Sequence, residues 1–263
     1  MLEPKVLIIA GSDSGGGAGM QADIKTATAH KVYCASVLTA VTAQNTQKVH
    51  QVFDLPIELL KKQLEVVLDD MQFDAIKIGM LSTVEIIDTI AIILKSKFKK
   101  IPIILDPVMV ATSGDILLQK NAIEILKKKL ISKAFLVTPN IDEAQILSGM
   151  KIRNLSEMRE SASIIKNLGC EAVLIKGGHI NFADGMVHSL LLDNEDDFYL
   201  ISNKKVGTKN IHGTGCTLAS SISCNVAKKL DLITAVKKAN DYVYKCVSSN
   251  IKAGKGSLVL KHW

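Results

Sequence analysis

The sequence predicts an α/β fold in which a mostly parallel sheet is covered by helices on both faces. Short apolar runs alternate with longer amphipathic segments along most of the 263 residues. The apolar runs are continuous, as is typical of strands that are buried on both sides. Because no linker, low-complexity tract or repeat interrupts the pattern, we predict a single domain over residues 1–263.

The predicted elements follow one another in a regular order. The apolar runs predict strands at 5–10, 33–42, 75–78, 101–105, 134–137 and 172–176. The segments between them predict helices at 18–30, 56–71, 83–95, 121–130, 142–147 and 156–167, as the shared apolar face of Leu60, Leu64 and Val67 illustrates. Beyond these, 185–192 and 197–202 resemble antiparallel strands, and two helices follow at 216–229 and 231–251.

The composition argues against several classes of partner. The formal net charge of +6 comes almost entirely from lysine, because Arg153 and Arg159 are the only arginines, and aromatic residues make up 4% of the chain. Nucleic-acid readers favour arginine forks and stacking aromatics, so we interpret the lysines as solvated helix faces and expect no nucleic-acid partner. No apolar run approaches the roughly 18 residues of a membrane helix, so we expect no membrane contact and a cytoplasmic location.

The five cysteines are scattered and form no C-x-x-C pair. This spacing argues against a structural zinc site or a disulfide framework and favours reduced thiols.

The segment His212–Thr217 places Thr214 between two glycines, directly before an apolar run of helical character. Such a turn feeds a helix N-terminus, whose first N–H groups lack internal partners and whose dipole favours negative charge. Gly213 and Gly215 therefore predict a hole for a phosphate or an oxyanion. Cys216 would have a lowered thiol pKa at this position. A plain glycine turn with a small buried cysteine is the alternative.

Six polar or glycine-containing segments follow predicted strands. They are 11–19, 44–45, 79–80, Asp106, 138–140 and 176–179. Ligands of open α/β sheets bind beyond the carboxyl ends of the strands, so we expect these segments to meet in an active site.

The residues at this edge suit phosphoryl transfer. The Lys176 ammonium beside two glycines predicts a phosphate contact. Asp106, Asn140 and Glu143 could hold Mg²⁺, partly through water. Cys216 would act as the base for a substrate hydroxyl. Lys176 could instead reach solvent, Asn140 could be a plain N-cap, and Glu143 could merely favour the helix N-terminus.

Two other functional classes use similar glycine-containing segments. Residues 15–20 do not supply the dinucleotide-binding pattern G-x-G-x-x-G, since Met20 stands at its third glycine and Gln44 replaces a ribose-binding acid. The Walker pattern is absent, which excludes a P-loop kinase. A non-catalytic binder that uses the same pocket stays open, although the set of Asp106, Asn140, Glu143 and Lys176 argues for an enzyme.

Several of these segments together resemble one family. The matching segments, in order, are 11–25, 42–46, 77–81, 106–109, 138–140, 176–179 and 212–217. In this combination the chain is similar to the hydroxymethylpyrimidine/phosphomethylpyrimidine kinases of thiamine biosynthesis, over about residues 5 to 250. The resemblance implies a ribokinase-like three-layer sandwich and two successive ATP-dependent phosphorylations, first of 4-amino-5-hydroxymethyl-2-methylpyrimidine and then of its monophosphate.

The resemblance also implies roles for individual residues. Gln44 would bond the aminopyrimidine edge. The other implied substrate contacts are Gly11, Ala18, Asp23, Met80 and Val108; the ATP contacts are Asp106, Asn140, Lys176 and Thr214; and the catalytic group is Cys216 with Gly213, Gly215 and Lys176. ATP and Mg²⁺ are the implied cofactors, small molecules the partners, and a homodimer the expected assembly. Many relatives in the wider superfamily carry Asp where Cys216 stands.

A pyridoxal kinase of the same lineage is the runner-up interpretation. Its thiol-using members carry a second cysteine in the lid after the Asp-Pro-Val-Met segment. Residues 110–114 contain no cysteine here, which disfavours this reading without removing pyridoxal as a side substrate.

Overall fold

The computed structural model describes residues 3–97, 101–111, 114–178, 184–207 and 211–263, and within them it shows a nine-stranded sheet. The strands of this sheet are β1 (Lys5–Asp13), β2 (Tyr33–Gln44), β3 (Val49–Asp54), β4 (Ala75–Ile78), β5 (Ile103–Leu105), β6 (Leu136–Val137), β7 (Ala172–Ile175), β8 (Met186–Leu192) and β9 (Phe198–Lys204). A separate short pair consists of β10 (Ile211–His212) and β11 (Leu258–Val259). The α-helices are α1 (Gly19–Ala29), α2 (Ile57–Asp70), α3 (Val84–Lys97), α4 (Ile123–Lys129), α5 (Ile141–Ser148), α6 (Leu155–Lys166), α7 (Thr214–Ala227) and α8 (Leu232–Ser248).

The sheet order is β3-β2-β1-β4-β5-β6-β7-β8-β9. The strands from β2 to β7 run parallel, whereas β3, β8 and β9 pair antiparallel at the two sides. The predicted α/β class with a mostly parallel sheet is therefore confirmed. Since the parallel strands share one direction, their carboxyl ends form a common edge.

Two apolar cores lie on opposite faces of the sheet, which gives the predicted three layers. Along β1, Leu7 and Ile9 face one core, while Val6 and Ile8 face the other. The first core lies beneath α2 to α6 and the second beneath α1, α7 and α8. The alternation of side chains along a strand explains why the strands are apolar throughout.

The structure differs from the sequence prediction mainly at element ends. Strand β1 continues past residue 10 to Asp13, and β2 continues to Gln44, so both deliver polar side chains directly to the edge of the sheet. Helix α7 begins at Thr214 rather than at 216, and the predicted helix 121–130 opens as a 3-10 turn at Lys120–Ala122. Strand β3 was not predicted.

No helix in the described ranges is both long enough and apolar enough to cross a membrane.

Candidate active site

A cleft of about 840 Å³ opens at the carboxyl ends of the parallel strands. Each of the six segments predicted to meet there contributes at least one lining residue: Gly11, Gln44, Met80, Asp106, Asn140 and Lys176. His179, which belongs to the last segment, lies outside the described residues. The cleft extends across the sheet from β2 to β9, so it has two distinct ends.

The glycine turn before α7 forms the middle of the cleft. Gly213 has φ 87°, in the left-handed region, and a Cβ there would overlap the carbonyl oxygen of Gly17. A Cβ on Gly215 would lie 3.1 Å from Lys176 Nζ. Both positions therefore require glycine for close approach, one to the backbone of the 15–18 loop and one to a cation.

Cys216 lies in the first turn of α7, where the sequence predicted a lowered thiol pKa. That prediction is wrong. Burial raises the pKa of Cys216 to about 11; Lys77 and the N–H of Gly19 oppose the rise, and the carboxylates of Asp23 and Asp106 add to it. The loss of hydration on burial raises the pKa of Cys216 more than the helix N-terminus lowers it, so the ligand-free protein carries a neutral thiol at pH 7.

Lys176 follows β7 directly and lies on the floor of the cleft. Its Nζ is 2.7 Å from Asp106 Oδ1 and 4.0 Å from Glu143 Oε2. Asp106 Oδ1 also accepts a hydrogen bond of 3.2 Å from Thr138 Oγ1. Burial disfavours the charged form of Lys176, but the carboxylates of Asp106 and Glu143 outweigh it and raise its pKa. One cation, whose side chain is 15% exposed, thus faces two carboxylates.

Asn140 and Glu143 form a capping box at the start of α5. The Asn140 side-chain oxygen accepts from the Glu143 N–H at 2.9 Å, and Glu143 Oε2 accepts from the Asn140 N–H at 2.8 Å. Both residues are therefore helix caps, as the alternative reading had it, and both also line the cleft. Burial and the charge of Asp106 raise the pKa of Glu143 to about 7, against the opposing charge of Lys176.

Gln44 occupies the end of the cleft nearest to β2. Its carboxamide nitrogen is 3.0 Å from His212 Nε2, which in turn lies 3.1 Å from Asp13 Oδ2. Gly11 stands opposite Met80, whose Sδ would be 3.0 Å from a Cβ at position 11. Ala18 and Val108 also line the cleft. Together these groups form a slot with small or apolar surfaces, bordered by the Gln44 amide and the His212–Asp13 pair.

Asp23, expected at the substrate, does not line the cleft. Its carboxylate is completely buried and accepts from Lys77 Nζ at 2.7 Å and from Ser220 Oγ at 2.6 Å. Asp23 lies on α1 and acts on the cleft indirectly, through its contact with Lys77, which lines the cleft, and through its charge, which raises the pKa of Cys216. Sequence reasoning missed Lys77, a lysine inside an otherwise apolar strand.

Sequence reasoning also missed the end of the cleft formed by β8, β9 and α8. Its lining includes Val187, Ser189, Asn203, Asn240, Val243 and Tyr244. These residues alternate with core positions and form no local motif. Only the packing of α8 beside β9 brings them together.

The acidic groups do not form a complete metal cage by themselves. Across the described ranges, no group of three or more His, Cys, Asp or Glu side chains could hold a metal ion. Asp106 and Glu143 remain as a pair of oxygen donors beside Asn140.

Several known proteins resemble this chain. The sequence profile described as phosphomethylpyrimidine kinase matches residues 13–261. The hydroxymethylpyrimidine/phosphomethylpyrimidine kinase of Rhizobium meliloti is 42% identical over 260 residues, which cover 98% of this chain and 96% of that protein. A thiamine biosynthetic bifunctional enzyme of Arabidopsis thaliana is 42% identical over 256 residues, and this chain spans 48% of its length.

Solved structures share the fold. The pyridoxal kinase from Staphylococcus aureus, in complex with AMP-PCP and pyridoxal, has a TM-score of 0.90 and 33% identity and covers 100% of this chain and 94% of its own. The phosphomethylpyrimidine kinase from Clostridium difficile has a TM-score of 0.82 and 40% identity over 93% of this chain and 100% of its own. The ribokinase-like architecture predicted from the sequence is thereby confirmed. By its profile match and by relatives at about 40% identity along nearly all of its length, this chain belongs to the phosphomethylpyrimidine kinase family.

Proposed function

We propose that this kinase transfers the γ-phosphoryl group of ATP to the hydroxymethyl group of 4-amino-5-hydroxymethyl-2-methylpyrimidine, and then to the resulting monophosphate, for thiamine biosynthesis. The proposal rests on one continuous cleft that joins a ring-sized slot to a site suited to phosphate. A slot with a single amide, Gln44, lies at one end, and a lysine and a helix N-terminus lie beside it.

The slot would receive the pyrimidine ring. Gly11, Ala18, Met80 and Val108 offer small or apolar surfaces to the ring faces, and Gln44 offers both a donor and an acceptor. An amino group beside a ring nitrogen presents the complementary pair. The ring hydroxymethyl would then point towards Gly213–Cys216.

The phosphate chain would lie across the first turn of α7. The backbone N–H groups of Gly213, Thr214 and Gly215, with Lys176, would neutralise the transferred phosphoryl group. The hydroxymethyl oxygen attacks the γ-phosphorus, the bond from that phosphorus to the β–γ bridging oxygen breaks, and ADP leaves. Because the ligand-free thiol is neutral, Cys216 would first lose its own proton to solvent, at a cost that the nearby charge of Lys77 reduces; the thiolate Sγ would then take the hydroxyl proton.

Mg²⁺ fits the carboxylates beside Lys176. Asp106 and Glu143 are hard oxygen donors, and both face the single cation of Lys176, at 2.7 Å and 4.0 Å. We assign Asp106, Glu143 and Asn140 to the metal, partly through water. When bound, Mg²⁺ would offset charge on the transferred phosphates.

The remaining end of the cleft, between β9 and α8, would hold the nucleotide base. Val187 and Val243 supply apolar surface, and Asn203 and Asn240 supply amides. ATP contacts at Asp106, Asn140, Lys176 and Thr214 would connect this end to the phosphates.

An ADP-release assay tests the proposal with the aminopyrimidine, its monophosphate, pyridoxal and no acceptor. We expect release with both pyrimidines, mass-identified monophosphate and diphosphate products, and a loss of roughly 10²–10⁴-fold in turnover for Cys216→Ala. A preference for pyridoxal would support the runner-up function, pyridoxal phosphorylation. The similarity to the pyridoxal-bound kinase from Staphylococcus aureus, at a TM-score of 0.90, is the reason to include this substrate. ATP consumption without any acceptor would contradict both.

A further inference from the structure

The Asp13 side chain acts only as a hydrogen-bond acceptor. It ends β1, and its two carboxylate oxygens accept backbone N–H groups from Gly15 at 2.8 Å, Gly17 at 3.0 Å and Ala18 at 2.8 Å. Burial alone would raise the pKa of Asp13, but the hydrogen bonds from His212, Ala18 and Gly15 hold it below its usual value. Asp13 is therefore an ionised carboxylate with no hydrogen to donate.

This fixes the state of one His212 nitrogen. His212 Nε2 lies 3.1 Å from Asp13 Oδ2, and both side chains are almost completely buried. A bare ring nitrogen would set its lone pair against the carboxylate oxygen. Nε2 therefore carries a hydrogen and donates it to Asp13.

The same hydrogen constrains Gln44. Nε2 has one hydrogen, which it shares between Asp13 Oδ2 at 3.1 Å and the Gln44 amide atom at 3.0 Å. That amide atom must be an acceptor, because an NH₂ group cannot accept from an N–H. A carboxamide is nearly symmetric in shape, so a half-turn about its last bond places the oxygen at that position and the nitrogen where the oxygen was.

A second contact favours the same half-turn. Thr42 Oγ1 donates its one hydrogen to the carbonyl oxygen of Ser12 at 2.9 Å. The other amide atom of Gln44 lies 3.3 Å from that hydroxyl, which has no further hydrogen to give. An NH₂ at this position donates to Thr42 Oγ1 and satisfies both groups. The His212 and Thr42 contacts, on opposite sides of the amide, thus agree.

We propose that His212, fixed by Asp13, is a positioning residue that locks the Gln44 carboxamide with its oxygen towards His212 and its NH₂ towards Thr42. This rests on the proposed function, for which Gln44 meets the ring. With its orientation fixed, Gln44 presents its acceptor oxygen on the His212 side of the cleft and its donor NH₂ on the Thr42 side. It therefore selects heterocycles with an exocyclic amino group beside a ring nitrogen, and it fixes which edge of the ring faces Gln44. The hydroxymethyl group is then directed to the phosphate end.

The ring nitrogens of His212 can be tested directly by ¹⁵N NMR of the histidine-labelled protein. The His212 signals are assigned by their loss in His212→Phe or His212→Asn. We expect a pyrrole-type Nε2 at neutral pH without any ligand. A pyridine-type Nε2 would overturn the proposal, and this readout does not depend on activity.

Kinetics test the consequence for specificity. For His212→Phe we expect the KM of the aminopyrimidine to rise roughly ten- to hundredfold, with kcat and the KM of pyridoxal changing little. His212→Asn, which keeps an N–H donor, should lose less. Because His212 acts through Gln44, His212→Phe should change the preference no further in a Gln44→Leu background.

His50→Phe is the matched control, because His50 contacts Asn45 on the exposed edge at 3.2 Å and does not line the cleft. Equal losses for both substrates in His212→Phe would mean that His212 only supports the fold, and would overturn the proposal. If the wild type phosphorylates no aminopyrimidine, the proposed function fails, while the nitrogen spectrum still decides the orientation of Gln44.

Discussion

Lys77 Nζ lies 2.7 Å from Asp23 Oδ2, and neither side chain has any surface exposed to solvent. Burial disfavours the charged form of Lys77, but Asp23, Cys216 and Asp106 outweigh it and raise the pKa of Lys77 above its usual value. Burial raises the pKa of Asp23, against the hydrogen bonds from Lys77 and Ser220. The pair joins α1 to β4, and Ser220 connects it to α7, one turn after Cys216.

Removing one partner of this pair should destabilise the protein strongly. Lys77→Met leaves a buried, unpaired carboxylate, which typically costs about 3–5 kcal/mol. Urea denaturation measures the free energy of unfolding. Lys77→Met with Asp23→Leu should recover much of the loss, because both charges are then gone.

Lys61→Met is the control for lysine removal, since Lys61 pairs with Glu58 at 2.9 Å on the surface of α2. Such exposed pairs contribute about 0–1 kcal/mol. A Lys77→Met protein as stable as the Lys61→Met protein would show that the buried Lys77–Asp23 pair does not stabilise the fold.

The thiol of Cys216 should react slowly at neutral pH. With a pKa of about 11, the thiolate fraction rises about tenfold for each pH unit between 7 and 9. Iodoacetamide labelling followed by peptide mass spectrometry should show the same slope for Cys216 in the ligand-free protein. A plateau reached near pH 7 would restore the lowered pKa that the sequence predicted.

Glu143 should make stability fall as the pH rises. Its folded pKa of about 7 lies above the roughly 4.3 of an unfolded chain, so folding favours the protonated form. That contribution is fully present below the unfolded pKa and is lost as the pH rises through 7. Glu143→Gln should therefore match the wild type near pH 4 and exceed it by up to about 3 kcal/mol at pH 8.

Denaturation curves at several pH values check this prediction. Glu157→Gln is a matched control, because Glu157 is the third helical residue of α6 as Glu143 is of α5, with Asn154 as its N-cap. It measures what the loss of a carboxylate at the third helical position does at each pH, and this difference is subtracted from that of Glu143→Gln. A pH-independent difference for Glu143→Gln after this subtraction would contradict the raised pKa.

Lys176→Ala should impair ATP use rather than ring recognition. It removes the cation at 2.7 Å from Asp106 and the charge proposed to meet the phosphates. We expect kcat/KM for ATP to fall roughly ten- to hundredfold, alike with either pyrimidine as acceptor. Lys151→Ala, at an exposed site outside the cleft, should leave it unchanged. A loss confined to the KM of the ring substrate would contradict the phosphate role.

Much of the layered fold could be predicted because buried parallel strands have continuous apolar sequences. Strand β3 could not be predicted in this way, since it is a partly exposed outer strand in which Val49, Val52 and Phe53 alternate irregularly with polar residues. Its pairing with β2 is visible only in three dimensions.

At the site, the sequence predicted where functional residues lie better than it predicted the burial and partners of their side chains. The glycine turn and the strand ends identified the location of Cys216, Lys176 and Asp106. The thiol pKa depends on burial beneath neighbouring elements, and the partnership of Asp23 with Lys77 spans 54 residues, so neither follows from a local motif. The homodimer, the single-domain organisation and the cytoplasmic location stay predictions.

The division of the cleft along the chain has a consequence for protein engineering. Most of the slot around Gln44 comes from residues before 111, whereas the phosphate end depends largely on later residues. A chimaera that exchanges residues 1–110 with those of a relative would exchange most of the acceptor pocket and leave most of the donor pocket intact. Two residues cross this division. Asp106 belongs to the early part but contacts Lys176 at 2.7 Å, and His212 belongs to the later part but bonds back to Asp13 across 199 positions. Any such exchange that alters residue 44 must therefore include position 212.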